Sequence, residues 1–491
     1  VYAQSRDAQN ILVFGSFAGG LVAELLRYPV RHIDVVIQDE NAFEHLAPYL
    51  TAENRAALDD RRLQLRFGDS RQYLRGLTDQ RYDLVLALDA VPTSAYSNRF
   101  FTREFYSSLQ VHLADSGVFC TQVSSASNYL GGTVRSYAGS VFRTLSGVFP
   151  EVSVMPGDIH VYCAGNRPGQ VSEDPAELSQ RYLATELDEH RFPAGYFTSL
   201  LPQDRIRDLH RQFRKQPGEL NSDARPVTFY LNMLLWARFT ASELADWLEA
   251  LRSMQAWPYL VPVLAFLGLW WLRTMLSAKP PVRTRRQAGS FALVLLGLVA
   301  MALQLVVLFD YQAHVGFMFD RIALLNAMFM TGLALGTGLL GQAMTQRGRP
   351  ESWLMALLLL VAVILLSTPA VLAQLGGLDG WGQEAAYLGM SCLYGLLTGA
   401  GFPLGVHLAQ AELGEAAPTG GVSEAADSLG GAAGGLITGA LLIPLLGVTG
   451  TCILLAVLSL LTLLPLAWAR WAPPRIEALA SRGYRAFPWS G

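Results

Sequence analysis

The stretch ILVFGSFAGG, Ile11–Gly20, decides the fold. A β-branched run enters a glycine-rich turn, and the helical pattern LVAELLRY (Leu21–Tyr28) follows. Strand, glycine turn and helix is the order by which a doubly wound parallel sheet brings backbone N–H groups to a nucleotide-like ligand. Three further strands are expected. Ile33–Gln38 ends in Asp39 and Glu40, Leu63–Phe67 runs into Gly68 and Asp69, and Tyr82–Leu88 ends in Asp89. Each delivers an acidic residue at its C-terminal end, the edge where open α/β sheets bind ligands. The plain alternative is an α/β domain whose aspartates are helix N-caps. Strands then alternate with helices to about Gly165, ending in two strands around Pro156-Gly157-Asp158, which implies parallel pairing with a final reversal.

Several of these segments resemble the spermidine synthase (polyamine aminopropyltransferase) family, and in particular its multi-pass membrane-fused branch. The resemblance is carried by GSFAGG (Gly15–Gly20), Gly68-Asp69, YDLVLALD (Tyr82–Asp89) and NRFFTREFY (Asn98–Tyr106). It continues in VFPEVSVMPGD (Val148–Asp158) and LNSDARPVTFYL (Leu220–Leu231). It implies an α/β class I methyltransferase (Rossmann-like) domain followed by an all-α transmembrane bundle. The implied reaction is transfer of an aminopropyl or related alkyl group from an S-adenosylmethionine-type donor, in its decarboxylated form, to an amine.

For that chemistry the resemblance assigns Gly15, Gly19 and Gly20 to the turn that admits the nucleoside, Asp39 to the ribose and Asp69 to adenine. Asp89 becomes the base or amine anchor, since only a neutral amine is a nucleophile. Tyr96 and Tyr106 are placed at the same mouth. The chain also departs from the family pattern. Ala18 stands where soluble members carry an acid, Ile37 where a ribose-binding Glu is usual, and Asp89-Ala90-Val91-Pro92 lacks the second Asp of the Asp-x-x-Asp-Pro loop. Members of the family also have a β-hairpin before the first strand. A preceding N-terminal half or another chain is therefore expected to complete the domain and the membrane bundle.

The 491 residues are enough for two or three domains. The expected divisions are 1–165 for the Rossmann-like domain, 166–256 for a helical appendage and membrane collar, 257–470 for about seven transmembrane helices and 471–491 for a tail. Beyond Trp257 the sequence is dominated by Leu, Ala, Gly and Val in runs of about 20 residues, the length that crosses a hydrocarbon layer of about 30 Å. The helices are expected near 257–276, 289–309, 316–342, 353–375, 385–410, 429–446 and 449–469. Arginines cluster after the first helix, between the third and fourth, and in the tail, which makes those segments cytoplasmic and the soluble domain extracytoplasmic. The charged groups Asp310, His314, Asp320 and Arg321, and Glu424 with Asp427, fall at expected helix ends, where interfacial solvation accounts for them.

Cys120 and Cys163 lie on strands that would be neighbours, either as a disulfide or as buried thiols. Cys392 and Cys452 lie in apolar helices. No Cys or His spacing supports a metal or haem site, and no basic–aromatic patch points to nucleic acid. The partners expected are the lipid bilayer and a small amine. Two other readings are a catalytically degenerate domain that docks or assembles a membrane complex, and a transporter of polyamine-like cations with a sensor domain.

Overall fold

The computed structural model describes residues 1–253 except 16, 90, 126–130, 188–189 and 241. It also describes 268, 271–272 and residues 280–471 except 317–318, 379 and 411–415. The chain divides into two compact units, Val1–Arg252 with Phe309–Phe317, and Ser253–Leu308 with Met318–Gly491.

In the first unit the apolar runs become strands β1 (Asn10–Phe14), β2 (His32–Ile37), β3 (Leu63–Phe67), β4 (Tyr82–Ala87), β5 (Leu113–Ser124), β6 (Glu151–Met155) and β7 (Ile159–Gly165). They form one sheet in the order β3-β2-β1-β4-β5-β7-β6. The pairings from β3 to β5 are parallel, and β7 runs antiparallel to both β5 and β6. This is the class I methyltransferase arrangement. Helices α1 (Leu21–Leu25), α2 (Glu40–Leu46), α3 (Ala52–Leu58), α4 (Ser70–Gly76), α5 (Ala95–Asn98), α6 (Arg103–Val111) and α7 (Gly132–Ser146) fill the connections.

The central strands are apolar at consecutive positions because both faces are covered. Successive side chains point to opposite faces. Leu12, Phe14, Val36, Val85 and Phe119 accordingly join one core, and Ile11, Val13, Val35, Leu84 and Val118 the other. Fully burying each such side chain contributes about 1.5–3 kcal/mol. One carboxylate sits inside this sheet. Asp34, in the middle of β2, accepts from the Tyr82 hydroxyl at 2.9 Å and from Gln80 Nε2 at 3.0 Å, with His32 at 2.9 Å and Arg66 at 3.4 Å. Cys120 and Cys163 face each other across β5 and β7 with 4.2 Å between their Cα atoms and are joined as a disulfide.

Among the described residues, five ranges are long and apolar enough to cross a membrane: Gln287–His314, Arg321–Gln346, Pro350–Leu375, Gly380–Ala409 and Gly420–Trp468. The expected helix at 257–276 and the tail beyond 471 lie almost wholly outside the described residues. The expected sixth and seventh helices form one continuous range that breaks at Gly447, whose φ of 75° is non-helical. One expectation needs correction here. Glu424 and Asp427 do not precede a helix; they lie inside Ala416–Ile437. The helix begins at Ala416, ahead of the start expected near 429.

His160, on β7, is buried beside Ser125, with Nε2 2.9 Å from its Oγ. Burial pushes its imidazole down to about 4. The unfolded value is about 6.5, so between these limits the unfolded chain binds more protons and stability rises with pH. The contribution is complete above about pH 6.5 and is lost as the pH falls towards about 4, amounting to roughly 2–4 kcal/mol. His160→Gln should flatten this dependence when the unfolding midpoint of the first unit is followed from about pH 7 to about pH 4.

Candidate functional site

The reversal of strand order on either side of β1 opens a crevice at the C-terminal edge of the sheet. A cavity of about 350 Å³ occupies it. Phe14 and Gly15 form its floor at the end of β1, Val36 and Gln38 line it from β2, Ser70 from the start of α4, and Ala87 and Asp89 from β4. Val91, Thr93, Tyr96, Ser97 and Phe100 make the facing wall. Gly15 has φ of 87°, a conformation costly for any residue with a Cβ. Its N–H still donates to the Val36 carbonyl at 3.0 Å, so the chain leaves the sheet only after this residue. A Cβ at Gly15 would lie 3.9 Å from Asp89 Oδ2, which places the carboxylate across the glycine bend. Among the described residues Asp89 has no hydrogen-bonded or ion-paired partner, and it is exposed to the cavity mouth.

The wall is made rigid locally and from a distance. Ser94 caps α5, accepting from Ser97 N while Ser97 Oγ accepts from Ser94 N. Asn221 donates to Asn98 Oδ1 at 3.3 Å and to the Phe101 carbonyl at 2.9 Å, and Phe229 N donates to Asn98 Oδ1 at 3.1 Å. The Leu220–Leu231 segment therefore fastens the cavity wall. Val227 and Leu231 enter the sheet core beneath it. The Tyr96 hydroxyl donates to Gln38 Oε1 and closes the cavity between β2 and α5. Burial pushes the Tyr96 phenol up despite the nearby Arg99, so it stays a proton donor.

The structure brings together Gly15, Asp89 and Tyr96. Asp39 caps α2, accepting from Ala42 N at 3.0 Å, and is not among the lining residues; its neighbour Gln38 is. Gly19 and Gly20 lie outside the lining too, Gly20 being the left-handed N-cap of α1. Asp69 caps α4, accepting from Arg71 N at 3.0 Å and Gln72 N at 3.1 Å. Its two oxygens also take a bidentate pair from Arg99 at 2.7 and 2.8 Å. Arg71 makes a second bidentate pair with Asp223 at 2.8 and 2.9 Å. Burial opposes ionisation of Asp223, but the Arg71 guanidinium outweighs it and holds the carboxyl below its ordinary range. Tyr106 does not reach the mouth: it is fully buried against Phe105 and Phe119. No group of three or more His, Cys, Asp or Glu side chains able to hold a metal occurs among the described residues.

A sheet of this order, with a glycine bend and a carboxylate at its switch point, defines a methyltransferase-type α/β domain. Residues 2–159 match the spermine/spermidine synthase domain family, and the domain they form belongs to it. The polyamine aminopropyltransferase of Lachnoclostridium phytofermentans is 30% identical over 164 residues, covering 33% of this chain and 55% of that protein. That of Prochlorococcus marinus is 26% identical over 161 residues, 33% of this chain and 55% of the other. A solved spermidine synthase from Thermotoga maritima aligns at 17% identity with a TM-score of 0.33, over 42% of this chain and 70% of its own. The chain spans about half the length of the curated relatives it matches.

Breaking a buried ion pair by removing one partner costs about 3–5 kcal/mol. Arg99→Met leaves Asp69 buried without its cation, the two side chains being 1% and 10% exposed. It should lower the thermal midpoint of the first unit and speed amide exchange through Ala95–Phe101. Adding Asp69→Asn should recover part of the loss.

Proposed function

We propose that the first unit binds an S-adenosyl-type nucleoside in the crevice at β1 and transfers its aminopropyl or a related alkyl group to an amine. We further propose that the apolar helices of the second unit anchor it in a bilayer. The observation that carries the transferase reading is Asp89, a carboxylate without a partner among the described residues, held across the Gly15 bend in a cavity large enough for part of a nucleoside. The family match of residues 2–159 supports it.

In this reading the glycine bend lets the ligand approach the backbone without a Cβ in its path. Gln38, tied to Tyr96, offers its amide to ribose hydroxyls at the end of β2. The Asp89 carboxylate attracts the ammonium form of the acceptor and takes its proton, and the freed lone pair forms the C–N bond at the aminopropyl carbon as its C–S bond to the sulfonium breaks and 5′-methylthioadenosine leaves. Tyr96 holds a proton at neutral pH, so it orients and does not act as the base. A carboxylate and an amide at these two strand ends are a sparse set, and a slow enzyme is expected.

Removing a general base typically lowers rate by about 10²–10⁴-fold. With the full chain in lipid nanodiscs, decarboxylated S-adenosylmethionine and a diamine, Asp89→Asn should reduce aminopropyl transfer by that factor. Nucleoside affinity, measured by calorimetry with 5′-methylthioadenosine, should change less than about tenfold. Absence of any heat for the wild type at millimolar nucleoside would overturn the reading.

A further inference from the structure

The second unit contains a cavity of its own, about 480 Å³ in volume. Its walls come from the helices Pro280–His314, Phe319–Leu335, Gly380–Gln410 and Ala416–Ile437. The lining is apolar, with Met301, Phe329, Leu333 and Phe402 among its larger side chains. Asp427 is the one ionisable group among the described lining residues. No Lys, Arg or His lies within ion-pair distance of Asp427 among the described residues.

Asp427 is held in place by close packing of backbones. A Cβ at Gly297 would collide with the Asp427 carbonyl oxygen and fall 2.9 Å from its Oδ1, so the two helices cross in contact there. The carboxylate lies seven residues inside the apolar range that begins at Gly420, about 10 Å at helical rise. Ser423 lies one turn earlier on the same face, fully buried, and its Oγ has no hydrogen-bond partner among the described residues. Thr337 and Thr398 donate to the carbonyls of Gly399 and Tyr394, which leaves their oxygens able to accept. Thr337 belongs to a π-helical turn, Gly336–Gly341, a distortion that often marks functional positions in helices.

With these helices in a bilayer, a carboxylate on the wall of an apolar cavity is costly unless a cation offsets it. A proton would need no cavity of this size. A hard metal cation would need about six or more oxygen ligands, and the walls offer one carboxylate and hydroxyls among Met and Phe. Aromatic faces and a single carboxylate favour an organic cation with an apolar body. We propose that this cavity binds an organic ammonium ion, its nitrogen at Asp427 and its alkyl groups against Met301, Phe329, Leu333 and Phe402. The inference uses the bilayer placement but not the transferase reading.

The test is calorimetric titration of tetrabutylammonium into the full chain in lipid nanodiscs, with empty nanodiscs as the control for partitioning. The wild type should bind saturably at one site, Asp427→Asn at least tenfold more weakly, and Asp427→Glu within a few-fold of wild type. If Asp427→Asn does not yield folded protein, Ala432→Leu, which fills part of the cavity and leaves the carboxylate, should weaken binding by the same factor. Wild-type heats equal to those of empty nanodiscs would overturn the proposal. So would equal affinity in wild type and Asp427→Asn, or, where that variant does not fold, in wild type and Ala432→Leu.

Discussion

The placement of β1 between β2 and β4 is the constraint on which the first unit depends. The chain leaves β1 towards one edge of the sheet and returns on the other side of it at β4, so no connection can cover the C-terminal end of β1 itself. What remains there is a crevice whose floor is Gly15. A left-handed residue at that point turns the chain away from the sheet just after its last ladder hydrogen bond. The cavity, the position of Asp89 and the role of the α5 wall all follow from that opening.

The aspartates of the unit show how a folded chain distinguishes structural carboxylates from available ones. Asp34 is enclosed by Tyr82, Gln80, His32 and Arg66. Asp83 accepts from the backbone of Gln9 and Asn10. Asp39 caps a helix, and Asp69 both caps one and holds Arg99. A carboxylate saturated by amides and a guanidinium has little left to offer a ligand. Asp89 differs because its neighbours in the described chain leave its oxygens facing the cavity, and this difference makes it the centre of the proposed chemistry.

Much of the fold was legible in the sequence. β-Branched runs at the right spacing, each ending in Gly or Asp, announce a parallel sheet, and Gly15 announces the bend. The side-chain partnerships were not legible, because they join residues far apart in the chain. Arg99 reaches Asp69 across 30 positions and Arg71 reaches Asp223 across 152. No local pattern encodes such a pair. Gln38 was not legible for a different reason: an acidic residue stands beside it, and chemistry by residue type points to Asp39. In the second unit, hydropathy found the apolar ranges. It misjudged the start of the Ala416–Ile437 helix, because a carboxylate reads as a loop signal until a cavity is seen to receive it.

The two units thus present the same physical motif, a carboxylate at the edge of an apolar cavity. For the first unit, the most direct measurement is hydrogen–deuterium exchange of the full chain with and without decarboxylated S-adenosylmethionine. Exchange should slow only in the residues following β1, β2 and β4, around Gly15, Gln38 and Asp89 to Phe100. Protection elsewhere, or none at saturating nucleoside, would contradict it.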